Sequence, residues 1–451
     1  MLSRRAFLGS ALGAVALGAP ILSSVAPALT PRARAATTLR TKVVNATGTF
    51  GNSAIKMYIP GEDLATGQQG FVNASGVFVP VPQDAADGTV LDLAIPMSNT
   101  GDTDFVLPQM SGRIYFAIDG DLAFKAVVDE HGIRKLQYPA GWVESDDSYS
   151  VMYDWMEFTL DDAGMHCNNT MVDSFCLPSA IRLEGAASQT SGELVPGGRE
   201  RIFSAIARQP DHKNLIIGDN LRVISPGHGI DAGLFPADYF DEYINEVWKK
   251  YATTDLLVTN EGRGVTYTGR VEDEVLVFDK GVAPIPKPTT RDVFYCDGAL
   301  VAPNDGLSGP VAAIIGSAFN RGTLLDHSDQ PISDPKLFYK PGITNHYSRI
   351  MHENTVTGKA YGFAFDDVGA PGAGEGDGDG FSTLIQDANP SSCTITLTDL
   401  SSGPVPGGTD PGTGGGTTPS TGGGTDPNTG GGTNPGPGGV STGSTGLNFG
   451  S

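Results

Sequence analysis

Beyond its first thirty-five residues the chain has no apolar run of the roughly 18 residues needed to span a bilayer, which excludes a membrane-spanning mature protein. Basic charge is also scarce. Loss of Arg4, Arg5, Arg32 and Arg34 with an N-terminal leader leaves 25 basic residues against 51 acidic ones, a net charge of −26. Such a surface repels phosphate backbones, so nucleic acid is excluded as a partner and a neutral polymer suits it as substrate. Solubility outside the cell would account for the same balance without any substrate. There are four cysteines, Cys167, Cys176, Cys296 and Cys393, and their spacing is not that of a zinc site. In an oxidising compartment they allow three pairings, and one or two disulfides are expected.

Motifs for several other chemistries are missing. His352-Glu353 is not followed by His at the metalloprotease spacing, so His352 reads as a structural hydrogen-bonding residue. No Gly-x-Ser-x-Gly occurs in a strand-turn-helix context, and Gly227-His228-Gly229-Ile230-Asp231 offers no Ser or Cys nucleophile. Glu375 to Gly380 imitates the start of a calcium loop, but Gln386 stands where that loop needs a bidentate Glu. No metal or cofactor is expected.

What is present begins with an export signal. Ser3-Arg4-Arg5-Ala6-Phe7-Leu8 has the twin-arginine pattern, an apolar stretch follows from Ala11 to Ala26, and Ala33-Arg34-Ala35 supplies a cleavage point. The expectation is a secreted protein exported by the twin-arginine pathway, with an ordinary secretory signal as the alternative. At the other end, residues 403–451 are loose repeats of Gly, Thr, Pro, Ser, Asn and Asp that cannot bury a core and are expected to be disordered.

Between these ends, short β-type runs at Gly70–Asn73, Val77–Val81, Gly112–Ala117 and Tyr153–Leu160, each bounded by turn residues, predict a sandwich or barrel over residues 36–185. Residues 186–356 read as mixed α/β. A helix is predicted from Pro236 to Tyr251 and another from Pro310 to Arg321, with a small meander over Leu256–Val258, Gly264–Val271 and Glu274–Phe278. Strand character returns over residues 357–402, in Lys359–Phe365 and Thr394–Leu397. The expected architecture is therefore mostly β with α/β: a β domain built from both ends of the mature chain, an α/β domain inserted in it, and a wide groove between them.

The chemistry centres on two acids. Read with period two, Tyr153, Trp155, Glu157 and Thr159 share one face of a strand, while Met156, Phe158 and Leu160 form the core face. The first face offers rings on which a sugar can stack, here Tyr153 and Trp155, beside a carboxyl that can reach a glycosidic oxygen. Asp173 follows sixteen residues after Glu157. Asp161-Asp162-Ala163-Gly164 is a turn signal, so Tyr153–Leu160 and Met165–Phe175 should pair as a hairpin with Glu157 opposite Asn168. Asp173 would then lie five residues further along, roughly 16 Å away at ~3.3 Å per residue, and on the wrong face. The acids can converge only through an irregularity, and Asn168-Asn169 is its natural place. At a separation of about 6.5 to 9.5 Å they would admit a water and invert the anomeric centre. Glu157, hemmed by the two rings, is the better general acid, and Asp173 the base that activates water.

At these residues the chain resembles glycoside hydrolase family 64. The Glu157 and Asp173 spacing is joined by Tyr295-Cys296-Asp297-Gly298, Ala318-Phe319-Asn320-Arg321, Asn345 to Glu353 and Tyr361 to Val368, so the resemblance spans nearly all of Ala36 to Leu400. It implies a β-1,3-glucanase of the laminaripentaose-releasing type, a β-barrel or sandwich related to the thaumatin-like fold beside an α/β domain, and an inverting mechanism with Glu157 as acid and Asp173 as base. It also implies substrate contacts at Thr159, Asp161, His166 and Thr170. The family pattern has Asn where Asp161 stands and Trp where His166 stands, so the nearest subsites should differ from the family type. The implied partner is β-1,3-glucan, bound by a monomer. A non-catalytic glucan-binding protein of thaumatin-like build is the alternative, and the presence of both acids favours the enzyme.

Overall fold

The computed structural model describes residues 38–303, 305–369 and 380–400. The expected leader, the expected disordered tail and most of the Glu375–Gly380 segment lie outside the described residues.

The strand Met152–Asp161 sits within an eight-stranded sheet. From one edge the order is Ile385–Asp387, Gly164–Asn169, Met152–Asp161, Met110–Ile118, Ile55–Asp63, Gln68–Val72 and Phe78–Pro80, with Ile95–Pro96 paired to Ile55–Asp63. Alternation decides which residues enter the core. Met156, Phe158 and Leu160 join Met57, Ile59, Ile114 and Phe116 in an apolar cluster shared with Leu39, Val43, Ile181, Leu183, Ile395 and Leu397. The latter six belong to a five-stranded sheet ordered Ser188–Ser191, Ser179–Glu184, Ser392–Leu397, Thr38–Asn45 and Thr103–Pro108. Two sheets sharing one core make a sandwich, and each fully buried side chain of this kind contributes about 1.5–3 kcal/mol. Thr38–Asn45 runs parallel to Ser392–Leu397, so the two ends of the described chain are neighbours.

The other face of the eight-stranded sheet is also covered at one end. Tyr58, Tyr115, Tyr153 and Trp155 pack with Phe124, Ala126 and Leu136 from a small sheet of Thr89–Leu91, Phe124–Val128 and Arg134–Gln137. A separate apolar core gathers the middle of the chain, where the helices Gly198–Arg208, Asp241–Tyr251, Ser308–Arg321 and His346–Glu353 pack with the antiparallel meander Leu256–Asn260, Val265–Glu272 and Val275–Phe278. The helix expected from Pro236 begins at Asp241, with Asp241 and Glu242 in its first turn and Lys249 and Lys250 in its last, charges that complement its dipole. The protein is thus mostly β-sheet with few helices.

Two expectations are corrected. Lys359–Phe365 is not a strand; residues 359–369 are coil and turn. Its alternation has another cause, because Phe363 and Phe365 pack on Cys296 while the segment wraps Arg321. All four cysteines are buried and unpaired, so no disulfide occurs among the described residues. Cys167 lies beside Cys393 in the sandwich core, and hydrogen bonding to that thiol, with burial, pushes the Cys167 pKa well up.

Arg321 and Asp366 are both almost fully buried and form an ion pair. The Asp366 carboxyl also accepts from Ser348 Oγ at 2.9 Å, His352 Nε2 at 2.9 Å and the Gly362 amide at 3.0 Å. The Arg321 guanidinium donates to the carbonyls of Asp366 and Val368. A buried charge network of this kind is costly to break on one side only. Burial opposes ionisation of both Asp366 and His352, yet their mutual attraction prevails, lowering the carboxyl from 3.8 and raising the imidazole from 6.5. The lowered Asp366 contributes stability above 3.8 and loses it as pH falls through its folded value. The raised His352 contributes below 6.5 and loses it as pH rises through its own. Asp366→Asn should therefore cost about 3–5 kcal/mol in denaturant unfolding, with the deficit largest between these two values and smaller once His352 deprotonates.

Candidate active site

The hairpin has the register read from its turn. Glu157 pairs with Asn168 on one side and with Arg113 on the other, and Thr159 pairs with His166 and Ser111. Because paired residues share a face, these side chains form two polar rows on the sheet face that carries Tyr153 and Trp155. The face therefore changes along its length, from an aromatic end beneath the small sheet to a polar end. Tyr153 and Trp155 belong to the covered end, only 1% and 3% exposed. The stacking surface expected of them is corrected: they are walls of the site, with the Tyr153 hydroxyl accepting from the Gly141 amide and the Arg222 guanidinium lying on the Tyr153 ring.

Glu157 is 9% exposed. One of its oxygens, Oε1, accepts from Arg113 Nε at 3.2 Å and Nη2 at 3.0 Å, and the guanidinium lies 5.1 Å from the Trp155 ring centroid. Arg113 also donates to the Tyr115 hydroxyl. Burial disfavours its charge, but Tyr115, Glu157 and Asp173 together raise its pKa further above the ordinary arginine value. Arg113 thus feels both acids. Beside Glu157, Asn168 Oδ1 and Trp155 Nε1 are buried with no hydrogen-bond partner among the described residues.

Asp173 reaches this neighbourhood because the second hairpin strand stops at Asn169. The chain then crosses to a small sheet in which Ser174–Phe175 pairs with Arg222–Ile224. The irregularity expected at Asn168-Asn169 is corrected: pairing is regular through both residues, and the chain turns only after Asn169, where it leaves the sheet. Most of its backbone partners come from distant segments: Thr383 Oγ1 donates to the Asn169 carbonyl, the Met171 amide to the Tyr361 carbonyl, Tyr347 to the Met171 carbonyl, and the Ser225 amide to the Asp173 carbonyl, while Asn169 Nδ2 donates to Ser179 and its Oδ1 stays buried without a partner among the described residues. Asp154 anchors the far side, its carboxyl accepting from the amides of Trp155, Cys176 and Leu177. Burial pushes the Asp154 pKa up to about 7 against those hydrogen bonds.

Asp173 is 5% exposed, and its Oδ1 lies 2.9 Å from His228 Nε2. His228 sits on the short helix Pro226–Asp231 and is stacked by Trp142 at 4.1 Å between ring centroids. The loop that bears Trp142 is held in turn by Arg222, which is fully buried and bonds the carbonyls of Gly141, Tyr149 and Val151. Gly141 is required there, since a Cβ would stand 2.1 Å from Arg222 Nη1.

The remaining expected positions are distributed as follows. Thr159 is buried with its Oγ1 2.9 Å from Ser111 Oγ, and Thr170 is buried with its hydroxyl accepting from the Val172 amide. His166 Nδ1 is 2.8 Å from Gln386 Oε1. Asp161 ends the strand and accepts from the Ala163 amide. Arg113, Trp142 and His228 were missed because their partners lie far away in sequence, whereas Asn168 was placed opposite Glu157 but given no part in the site. No group of His, Cys, Asp and Glu among the described residues is arranged to hold a metal ion.

A carboxyl group on a sheet face, with a second carboxyl brought in beside it on the adjoining crossing and one arginine in the field of both, is the kind of site that glycoside hydrolases use. The profile of the β-1,3-glucanase family, glycoside hydrolase 64, matches residues 37–397, and the chain belongs to this family. It is 32% identical over 445 residues to a glucan endo-1,3-β-glucosidase of Cellulosimicrobium cellulans, covering 91% of this chain and 76% of that protein. Among solved structures it is similar to a laminaripentaose-producing β-1,3-glucanase in complex with laminaritetraose, with 35% identity, a TM-score of 0.73, and coverage of 81% of this chain and 100% of that one. It is also similar to a β-1,3-glucanase domain of the same family from Clostridium beijerinckii, at 27% identity and a TM-score of 0.68, over 82% of this chain and 100% of that one.

Arg113 is where this geometry is most exposed to test. Arg113→Lys keeps a charge but lacks the planar pair of nitrogens, Nε and Nη2, that converge on Oε1, so kcat on β-1,3-glucan should fall about tenfold or more while the thermal midpoint moves only a few degrees. Unchanged kcat would show that the Glu157 carboxyl is held by other means.

Proposed function

We propose that this family member is a secreted enzyme that hydrolyses β-1,3-glucan with inversion, using Glu157 as general acid and Asp173 as general base. The observation that carries the reading is the asymmetry of the two carboxyl groups. Arg113 binds one oxygen of Glu157, Oε1, through two of its nitrogens, whereas Asp173 Oδ1 meets the His228 imidazole. In the reaction Asp173 takes a proton from water as the water oxygen bonds the anomeric carbon. The glycosidic bond breaks, and its oxygen takes the proton of Glu157.

Thr159, Asp161, His166 and Thr170 are proposed as substrate contacts, and Asn168 joins them through its unpartnered Oδ1, an acceptor for a sugar hydroxyl. With His166 and Asp161 at the positions noted above, stacking next to the acids is weaker than in the family pattern, and the products are laminaripentaose-type oligosaccharides of altered distribution. The same reading includes export by the twin-arginine pathway, a monomer, a thaumatin-like β domain over 36–185 and 357–402, and an inserted α/β domain over 186–356. The absence, among the described residues, of a helix long and apolar enough to cross a membrane is compatible with it.

Glu157→Gln and Asp173→Asn, assayed on linear β-1,3-glucan, should each lose hydrolysis by roughly 10³-fold while still sedimenting with insoluble glucan. Substantial turnover by Glu157→Gln would refute the acid assignment. A parent protein that binds the polymer without releasing sugar would be a binding protein instead.

A further inference from the structure

Behind Asp173 runs a hydrogen-bonded chain that the reaction as written does not use. Asp173 Oδ1 meets His228 Nε2 at 2.9 Å, His228 Nδ1 meets the Tyr295 hydroxyl at 3.1 Å, and that hydroxyl donates to Asp231 Oδ2 at 2.8 Å. Asp231 is braced by Arg291, which donates Nε to Oδ1 at 2.8 Å and Nη2 to Oδ2 at 2.9 Å. The chain leads from two buried residues to an exposed ion pair, with the Arg291 guanidinium also lying on the Tyr295 ring.

Proton counting fixes much of its state. Burial acts to raise the Asp231 pKa, but its bonds to Arg291 and Tyr295 prevail and lower it below 3.8, so Asp231 is ionised near neutrality and can only accept. Tyr295 has one hydroxyl proton and gives it to Asp231, so the Tyr295 oxygen accepts from His228 Nδ1–H. A single proton is then left for the contact between His228 Nε2 and Asp173 Oδ1. On Nε2, it makes an imidazolium facing a carboxylate. On Oδ1, it leaves a neutral imidazole and an Asp173 that cannot act as base. Two surroundings favour the first form: the Asp231 charge behind Tyr295, and the Trp142 ring stacked on the imidazole.

The geometry points to His228, backed by Tyr295 and Asp231, as a positioning residue that keeps the Asp173 carboxyl ionised and fixed in orientation for its work on water. This assignment rests on the reading of Asp173 as the general base. It gives a role to Gly227-His228-Gly229-Ile230-Asp231, in which the positioning histidine and the remote acid stand one helical turn apart.

The test is steady-state kinetics on a soluble β-1,3-linked glucan with the full chain, comparing Tyr295→Phe, His228→Ala and His228→Gln with Glu157→Gln as control. Tyr295→Phe removes one oxygen and leaves the packing of the ring. It should lower kcat about five- to tenfold with KM and thermal midpoint unchanged. His228→Ala should lose more, and His228→Gln, whose amide still donates to Oδ1, should recover part of that loss. If Tyr295→Phe and His228→Gln both keep the parental kcat while Glu157→Gln is inactive, the positioning role falls and the glycosidase reading stands. A change confined to KM or to the thermal midpoint would likewise reduce His228 to a structural residue. If Glu157→Gln retains the parental kcat, the reading itself fails and the role of His228 with it.

Discussion

Between Asn169 and Asp173 the chain leaves one sheet and enters another within four residues, and it must do so without stranding a buried amide or carbonyl. An unpaired backbone group there would cost about as much as several good packing contacts supply. The solution draws on the whole molecule. Ser179 comes from the sandwich, Thr383 from the turn before the edge strand Ile385–Asp387, Tyr347 from a helix of the second core, Tyr361 from the segment that wraps Arg321, and Ser225 from the cap of the helix Pro226–Asp231. Asp154 then clamps the incoming strand to the outgoing one through the amides of Cys176 and Leu177. The site exists because these otherwise separate parts meet at one crossing.

The same crossing explains why so much charge is buried nearby. Arg222 anchors the loop that bears Trp142, Arg113 serves both acids, and Arg321 with Asp366 organises the turn carrying Tyr361. Each of these arginines spreads its donors over carbonyls, hydroxyls or carboxylates, which a lysine could not do with a single point charge. The cost of burying them is offset by orientation, since a catalytic carboxyl misplaced by 1 Å loses much of its effect.

The parts legible in the sequence were those set by short-range rules. The Asp161–Gly164 turn gave the hairpin register that puts Glu157 opposite Asn168, and period two sorted Met156, Phe158 and Leu160 from the opposite face. Charge at the ends of the helix Asp241–Tyr251 was readable for the same reason, although its start was placed five residues early. What failed depended on distant neighbours. Tyr153 and Trp155 are covered by a small sheet whose docking no local pattern reveals, and the alternation of Lys359–Phe365 comes from packing around Arg321 and Cys296 rather than from strand pairing. His228 lies in a segment whose local pattern lacks a nucleophile, and its partners are 55 and 67 residues away.

The central claim is that Asp173 directs a water against the face of the sugar opposite to Glu157. Proton NMR of the newly formed reducing ends, recorded within the first minutes of linear β-1,3-glucan hydrolysis and before mutarotation, tests it most directly. The account predicts that the α-anomer appears first and the β-anomer grows in later. Initial release of the β-anomer would mean a covalent intermediate and two carboxyl groups closer together than a water allows, contradicting the roles given to Glu157 and Asp173.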